Sequence, residues 1–294
     1  MLYKQIEQNK RKTVLLVLLF SVIVLGAGIA VGYLGFGDIW IGAIIAAVIL
    51  LVYVPITYMS ASSQVLRMSG AVLANEETHK QLYHIVEELC IPARIPMPKI
   101  YVINDPSPNA FATGIKPEKG AVAFTTGLLE QLNREELEAV AAHELAHIRN
   151  YDIRLMTISI ALISVVAILA DIGSRMLFTQ RRNDNKKTHP AFYIVALIFI
   201  LLSPLAARFV HLAVSRNREY LADATAVELT RNSLGLQNAL RKISSSSLDV
   251  RKAKKSTASL YISSPFSKLR KAKKTSWFST HPSMESRIER LGRM

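Results

Sequence analysis

The residues best suited to chemistry are two histidines and a glutamate in a single His-Glu-x-x-His pentad: His143, Glu144 and His147. Positions four apart share one face of an α-helix, so both imidazoles can bind the same metal ion. Glu144 lies about 100° around the helix axis from His143, which lets its carboxylate reach a water on that metal without being a ligand. The pentad therefore predicts a zinc-activated hydrolytic water. The alternative is a helix with two surface histidines, and chance gives such a pentad on the order of once in a hundred chains of this length.

A tetrahedral zinc ion that keeps one water needs a third protein ligand. Residues 215–224 have helical propensity, and their Glu219 and Asp223 are again four apart. Glu219 can complete a His₂Glu site, and Asp223 can accept a hydrogen bond from the free ring nitrogen of a metal-bound histidine. The same spacing also fits a solvated acidic pair bonded to Arg216 or Arg218. Spacing alone leaves both interpretations open.

The elements that must position these residues are a helix and a small sheet. The pentad lies in a predicted helix over about 133–149, where Asn133 and Glu136 resemble a capping box. An amphipathic helix is predicted over 76–89, and a proline-rich passage follows it. Strand composition then marks residues 99–103, 109–114 and 121–126. The sequence therefore predicts a small sheet directly before the metal helix.

One strand of this sheet is a candidate substrate-binding element. An extended polypeptide can add itself to an exposed sheet edge through main-chain hydrogen bonds, with its scissile carbonyl held over the metal. The residues assigned to this role are Asn109, Ala110, Phe111 and Ala112. The alternative is an ordinary packed strand.

Long uncharged blocks indicate a membrane protein. Half of the 294 residues are apolar, residues 13–37 contain no charge, and after Asp38 the next charged residue is Arg67. Two helices over about 13–34 and 39–59 are each long enough to cross ~30 Å of hydrocarbon. A shorter pair is predicted at about 155–170 and 191–207. The fold class is therefore a mainly α integral membrane protein with about four transmembrane helices and a cytoplasmic zincin-like α+β domain.

Charge distribution predicts the orientation. Lys4, Lys10, Arg11 and Lys12 precede the first block, and only Asp38 lies between the first two, so the amino terminus and the protease parts are expected in the cytoplasm. The basic loop between the second pair opposes this rule. Either the hydrophobicity of those blocks overrides it or the pair enters the bilayer only in part, and spanning is favoured. The net charge of +14 comes without a nucleic-acid recognition motif, so no nucleic-acid partner is expected.

Four parts follow from these patterns. They are a transmembrane hairpin at 1–60, a protease part at 61–154, a second hydrophobic pair at 155–210, and a part with the third ligand and a basic carboxy-terminal region at 211–294. Leu155 comes only eight residues after His147, roughly 12 Å along a helix, so the metal is expected near the cytoplasmic membrane surface. The basic stretch 251–274 either lies against anionic lipid or is a solvated loop.

The motifs taken together resemble the HtpX group of integral-membrane zinc metalloproteases, relatives of the CAAX prenyl proteases. The matching segments are residues 109–114, 143–147, 218–223, 280–282 and 287–288. The resemblance implies that His143, His147 and Glu219 bind one Zn²⁺ per chain, that Glu144 is the catalytic acid/base and that Asp223 supports a ligand. It also implies the substrate role of strand 109–112. His281 is assigned to oxyanion stabilisation, with a structural role at a helix start as the alternative.

The function expected is a membrane-bound zinc endopeptidase of a bacterial-type cell membrane. The resemblance implies that it hydrolyses misfolded or damaged membrane proteins in quality control. The alternatives are a protease specialised for a lipidated or signalling peptide, and a non-catalytic scaffold that zinc stabilises. Glu144 argues against the scaffold, since a purely structural site has no use for that acid. The chain contains no Gly-x-x-x-x-Gly-Lys-Ser/Thr loop, so no ATPase is expected within it.

Overall fold

The computed structural model describes residues 2–162, 197, 216–254, 257–266 and 282–294, and this part of the chain is mostly helical. The helices are α1 (Leu2–Phe36), α2 (Ile39–Ser69), α3 (Lys80–Ala93), α4 (Thr126–Gln131), α5 (Arg134–Arg149), α6 (the described residues 152–162), α7 (Arg216–Thr230), α8 (Ser233–Ser245) and α9 (Met284–Leu291). The strands are β1 (Ala71–Leu73), β2 (Lys99–Ile103), β3 (Ala110–Thr113) and β4 (Ala121–Thr125).

Among the described residues, two stretches are long and apolar enough to cross a membrane, and they lie in helices α1 and α2. The stretches are Ile6–Ile29, with mean hydropathy 2.4, and Ile39–Ser69, with mean hydropathy 2.7. In the apolar 18-residue part of each stretch, only 17% and 11% of the residues are buried within the protein. Exposed apolar surface on this scale is expected of helices that contact lipid.

The hairpin between these helices depends on glycines at its contact. A Cβ added to Gly28 would lie 2.4 Å from the Ala46 Cβ, and one added to Gly32 would lie 2.6 Å from the Gly42 backbone nitrogen. Small residues therefore let the two backbones approach closely, as in small-xxx-small packing.

Helix α2 continues past the predicted end of the second span at residue 59. It runs to Ser69 and ends where Gly70 adopts φ 68 and donates its N–H to the Arg67 and Leu66 carbonyls. The extension is stable because Ala61 and Val65 are completely buried. The first predicted hairpin boundary at residue 60 thus falls inside a helix.

The four strands form one mixed sheet in the order β1-β2-β4-β3. Strand β2 is parallel to β4, whereas β1 and β3 pair antiparallel with their neighbours. The three strands predicted from sequence are confirmed. Strand β1 was not predicted because three residues are too few to show an alternating pattern. Strand β3 lies at an edge of the sheet, next to the metal helix.

The main core packs the sheet and α5 against α3, α7 and α8. Ala139, Ala141, Ala142 and Ala146 of α5 are fully buried, and their small side chains let neighbouring elements approach the helix closely. Helix α3 starts later than predicted and continues through Pro92 to Ala93.

A second core joins α6 to the hairpin. Leu155, Ile158 and Leu162 of α6 pack with Leu16 and Phe20 of α1. The predicted spans at 155–170 and 191–207 lie outside the described residues except for 155–162 and Leu197. The basic loop between the second pair also lies outside them, so these assignments stay predictions. Of the basic stretch 251–274, residues 255–256 and 267–274 lie outside them too. The described residues 257–263 of that stretch are largely buried and contact β3, so this segment is neither the solvated loop nor the lipid-bound segment that the sequence predicted.

Replacing Gly32 by valine should separate α1 from α2. The Cβ of the new valine would lie within 2.7 Å of backbone atoms of α2 and of the residue before it. Overpacking of this kind lowers the free energy of unfolding by about 1–3 kcal/mol. We expect the thermal unfolding midpoint in detergent to fall by about 5 °C. Gly26→Val is the matched control, because nothing described lies within 4 Å of a Cβ at that position. Equal midpoints for the two variants would contradict the close helix contact.

Candidate metal centre

Helix α5 places His143 and His147 on one face, and the predicted capping box stabilises its first turn. The Asn133 side chain accepts the Glu136 N–H at 2.9 Å, and the Glu136 carboxylate accepts the Asn133 N–H at 2.9 Å. These bonds satisfy two amides that a helix start leaves without partners. The imidazoles of His143 and His147 then lie edge to face, with ring centroids 4.8 Å apart.

Glu219 of α7 completes the group that was predicted to bind metal. One ligand atom from each of His143, His147 and Glu219 lies within 4.8 Å of the other two, and all three residues are buried. The histidine Nε2 atoms lie 3.9 and 3.8 Å from the Glu219 carboxylate oxygens. Among the described residues, no other group of three such side chains could hold a metal ion. Two imidazoles and one carboxylate fit a catalytic metal that keeps an open position.

Each of the two imidazoles is oriented by its own carboxylate. His143 Nδ1 lies 3.0 Å from Asp223 Oδ1, and His147 Nδ1 lies 3.1 Å from Asp152 Oδ2. A proton held on Nδ1 by such a bond leaves the Nε2 lone pair available to a metal. Asp223 thus contacts one of the two histidines that the sequence analysis named for it, and its supporting role stays a prediction. Asp152 was not predicted, because it lies beyond the end of α5. The left-handed conformation of Tyr151, with φ 59, turns the chain so that Asp152 lies beside His147.

Arg287 of α9 is the second group missed from sequence. Its guanidinium is completely buried and donates through Nε and Nη2 to the two Asp223 carboxylate oxygens at 2.9 and 2.6 Å. A third donor, Nη1, bonds the Ile262 carbonyl at 2.7 Å. In the sequence, Arg287 stands out only as part of the carboxy-terminal matching segment 287–288. Its position shows that α9 holds the carboxylate that orients His143.

The charges around Arg287 and Asp223 stabilise both ionised forms. Burial favours neutral Asp223, but the Arg287 charge and the hydrogen bonds from His143 and Arg287 outweigh burial, so the pKa of Asp223 lies below its ordinary value. Burial also favours neutral Arg287, yet the Asp223 charge raises the pKa of Arg287 further. The pair is therefore an ionised, bidentate bridge inside the protein.

Glu144 is buried beside the three ligand residues. It is 1% exposed, and burial, with a smaller contribution from the Glu219 charge, raises the pKa of Glu144 to about 8. Neither Glu144 carboxylate oxygen has a hydrogen-bond partner at bonding distance within the described part of the chain. The nearby Ala112 backbone nevertheless acts to lower the pKa of Glu144. This carboxylate can therefore exchange a proton near neutral pH.

The two histidines respond differently to their surroundings. Burial lowers the pKa of His143 to about 4. Burial also acts to lower that of His147, but the Asp152 hydrogen bond and the charges of Glu219 and Asp152 raise it to about 9. The same carboxylates stabilise any cation at this position, whether a proton or a metal ion.

Strand β3 contains the residues that were assigned to substrate binding, and its outer edge contacts the chain's own carboxy-terminal part. Ile262 donates its N–H to the Ala110 carbonyl at 2.9 Å, and Phe111 is bridged to Tyr261. The Asn109 side chain donates to the Ser263 carbonyl at 3.0 Å. All four predicted residues, Ala112 included, are buried. Their substrate role stays a prediction, and His281 lies outside the described residues.

The fold and the site define a membrane metallopeptidase: an apolar helix hairpin joined to a mixed sheet and a His-Glu-x-x-His helix with a distant glutamate ligand. The profile of Peptidase family M48 matches residues 76–294, and the chain belongs to this family. The protease HtpX homolog of Listeria monocytogenes serotype 4a (strain HCC23) is 51% identical over the whole of both chains. That of Ligilactobacillus salivarius (strain UCC118) is 48% identical, also over the whole of both chains.

A solved structure supports the fold assignment. The crystal structure of S. mikatae Ste24p superposes with a TM-score of 0.50 and 19% sequence identity, covering 98% of this chain and 67% of that one. The resemblance to the HtpX group and the expected membrane metalloprotease activity are therefore confirmed. A metal ion at the His-His-Glu group follows from the family and from the geometry.

Arg287→Met should destabilise the protein strongly. Removing one partner of a buried ion pair leaves the other charge uncompensated and typically costs about 3–5 kcal/mol. We expect a marked fall in the thermal unfolding midpoint in detergent. Arg293→Met is the matched control, because Arg293 is exposed and bonds only its neighbour Glu289 on the surface among the described contacts. Similar midpoints for the two variants would contradict a structural role for the Arg287–Asp223 pair.

Proposed function

We propose that this protein is a zinc-dependent endopeptidase that degrades misfolded or damaged membrane proteins at the cytoplasmic face of a bacterial-type cell membrane. The observation that supports it most is the buried His143, His147 and Glu219 group, with ligand atoms within 4.8 Å of one another, beside the buried carboxylate of Glu144. Two imidazoles, one carboxylate and a nearby general base are the protein parts of metal-assisted hydrolysis.

Zinc is the metal that this donor set suits best. Nitrogen and carboxylate ligands with an open fourth position are typical of catalytic Zn²⁺ sites. His143, His147 and Glu219 would hold one ion per chain. When bound, the ion acts as a Lewis acid and lowers the pKa of a coordinated water toward ~7.

The chain's own residues then have distinct tasks. Glu144 would accept a proton from the attacking water and later return it to the leaving amine, which its buried position next to the ligands allows. Asp223 and Asp152 hold the imidazoles in the tautomer that directs Nε2 toward Glu219. His281 is assigned to stabilising the oxyanion that develops on the substrate carbonyl.

Two isosteric variants separate chemistry from metal binding. Glu144→Gln keeps the ligands and removes the base, so we expect peptidase activity to fall by at least about 100-fold with zinc content unchanged. Glu219→Gln removes a ligand charge, so we expect zinc content itself to fall. Activity is measured on casein or a detergent-solubilised membrane protein, and zinc by elemental analysis. Full activity in Glu144→Gln would refute the general base, and full zinc content with full activity in Glu219→Gln would refute the third ligand.

The proposed location follows from the hairpin and from charge. Within the described part of the chain, α1 and α2 are the two candidate membrane helices, and α6, which follows the metal helix α5, packs against α1. Lys4, Lys10, Arg11 and Lys12 favour a cytoplasmic start. Two further spans, over about 155–170 and 191–207, belong to the same proposal. A site at the membrane surface would act on loops and damaged segments of membrane proteins near the bilayer, and a lipidated or signalling peptide is the alternative substrate.

Substrate would bind along the outer edge of β3, where residues 260–263 lie in this structure. The Ala110 carbonyl, now bonded to Ile262, is the kind of group that an extended peptide pairs with, and Ala112 lies beside Glu144. Binding along this edge requires residues 260–263 to move away, because one edge cannot pair with two segments.

A disulfide across this contact tests the edge as the substrate site. Phe111 and Tyr261 are directly opposite in an antiparallel bridge, a separation that a disulfide can join. We expect Phe111→Cys with Tyr261→Cys, in a Cys90→Ala background, to be inactive when oxidised and active when reduced. The reduced form of the same protein is the control for lost aromatic packing. Equal activity in both forms would show that substrate does not displace this segment.

A further inference from the structure

The first turns of the membrane helix α1 contact the turn that follows the metal helix α5. Asn9 is 3% exposed, and its side-chain amide donates to the Asn150 carbonyl at 3.2 Å and to Asp152 Oδ1 at 2.7 Å. The next residue, Lys10, places its ammonium 4.6 Å from the centre of the Tyr151 ring. Consecutive residues of α1 thus contact consecutive residues of the turn.

Asp152 links this contact to the metal site. Its Oδ1 accepts from Asn9, and its Oδ2 lies 3.1 Å from His147 Nδ1. Asp152 is 1% exposed, so its hydrogen bonds act with little screening by water. Arg218 is the buried cation whose charge also acts on Asp152. One carboxylate therefore joins a membrane helix to a metal ligand.

We propose that Asn9 is a positioning residue for the metal ligand His147. Tyr151 holds a left-handed conformation, with φ 59, and a non-glycine residue adopts it only where its surroundings compensate. The two bonds from Asn9 fix the residues on both sides of Tyr151. They thereby fix the rotation of the Asp152 carboxylate, which in turn fixes the imidazole.

The inference rests on the proposed metal site and adds a role for α1 to it. The first membrane helix anchors the protein and also holds one ligand of the site in place. A purely structural role for Asn9 would change stability without changing how tightly the site binds metal. Zinc affinity and the ligand field of the bound metal therefore distinguish the two roles.

The test compares Asn9→Ala with Gln8→Ala in the full chain in detergent. Gln8 is exposed on the same helix, so its variant removes an amide without touching the turn. Zinc affinity is measured by competition with a chromogenic chelator, and the ligand field by the visible absorption of the Co²⁺-loaded protein. We expect Asn9→Ala to bind zinc about 10-fold more weakly, at the low end of the effect of removing a group that orients a ligand. We also expect its Co²⁺ bands to shift, and Gln8→Ala to match the wild type.

A double-mutant cycle with Asp152 separates positioning from stability. In an Asp152→Asn background, removing the Asn9 amide should weaken zinc binding no further, because the path from Asn9 to His147 is already changed. Additive losses would overturn the proposal. If Asn9→Ala does not fold, Asn9→Ser in the same cycle replaces it, and unchanged zinc affinity in either folded variant also overturns the proposal.

The outcomes also distinguish this inference from the proposed function. If His143→Ala and Glu219→Gln bind zinc as tightly as the wild type does, the metal site itself is refuted. Wild-type zinc binding that depends on those residues, together with an Asn9→Ala variant of equal affinity, would refute the role of Asn9 alone.

Discussion

Buried negative charge is the constraint on which the rest of the structure depends. Four carboxylates lie in the interior around two imidazoles: Glu144, Asp152, Glu219 and Asp223. Burying an ionised carboxylate costs several kcal/mol even after the protein relaxes. Arg287 compensates Asp223 through a bidentate contact, and Arg218 supplies a second buried cation. The remaining negative charge favours a further cation between His143 and His147, so the carboxylates that are costly to bury also make this position favourable for a metal ion.

Sequence reasoning predicted the parts of the site that repeat along a helix. The His143 and His147 spacing, the Glu219 and Asp223 spacing and the Asn133 capping box are all local patterns, and a helix turns such patterns into geometry without further information. The strands of the sheet were recognised for the same reason. Local sequence patterns therefore predicted both the candidate ligand residues and most of the helices and strands that position them.

The groups that sequence missed act through contacts between distant parts of the chain. Asp152 reaches His147 only because Tyr151 turns the chain back, and Arg287 reaches Asp223 from a helix near the other end of the sequence. Strand β1 and the last turns of α2 depend on neighbours in the folded core rather than on their own composition. A single polar residue carries no periodic signal, so its role emerges only from tertiary packing.

The parts of the site lie far apart in the sequence, and this affects the order in which their contacts can form as the chain is synthesised. A growing chain contains the pentad and Glu219 well before it contains Arg287, and Asp223 lacks its buried partner until α9 is added. The amino-terminal hairpin must also be docked before Asn9 can meet Asp152. The two carboxylates beside the imidazoles thus gain these partners only when the amino-terminal hairpin and α9 are both in place. Removing either end of the chain would therefore take a buried hydrogen-bond donor away from one of the two carboxylates that orient the histidines.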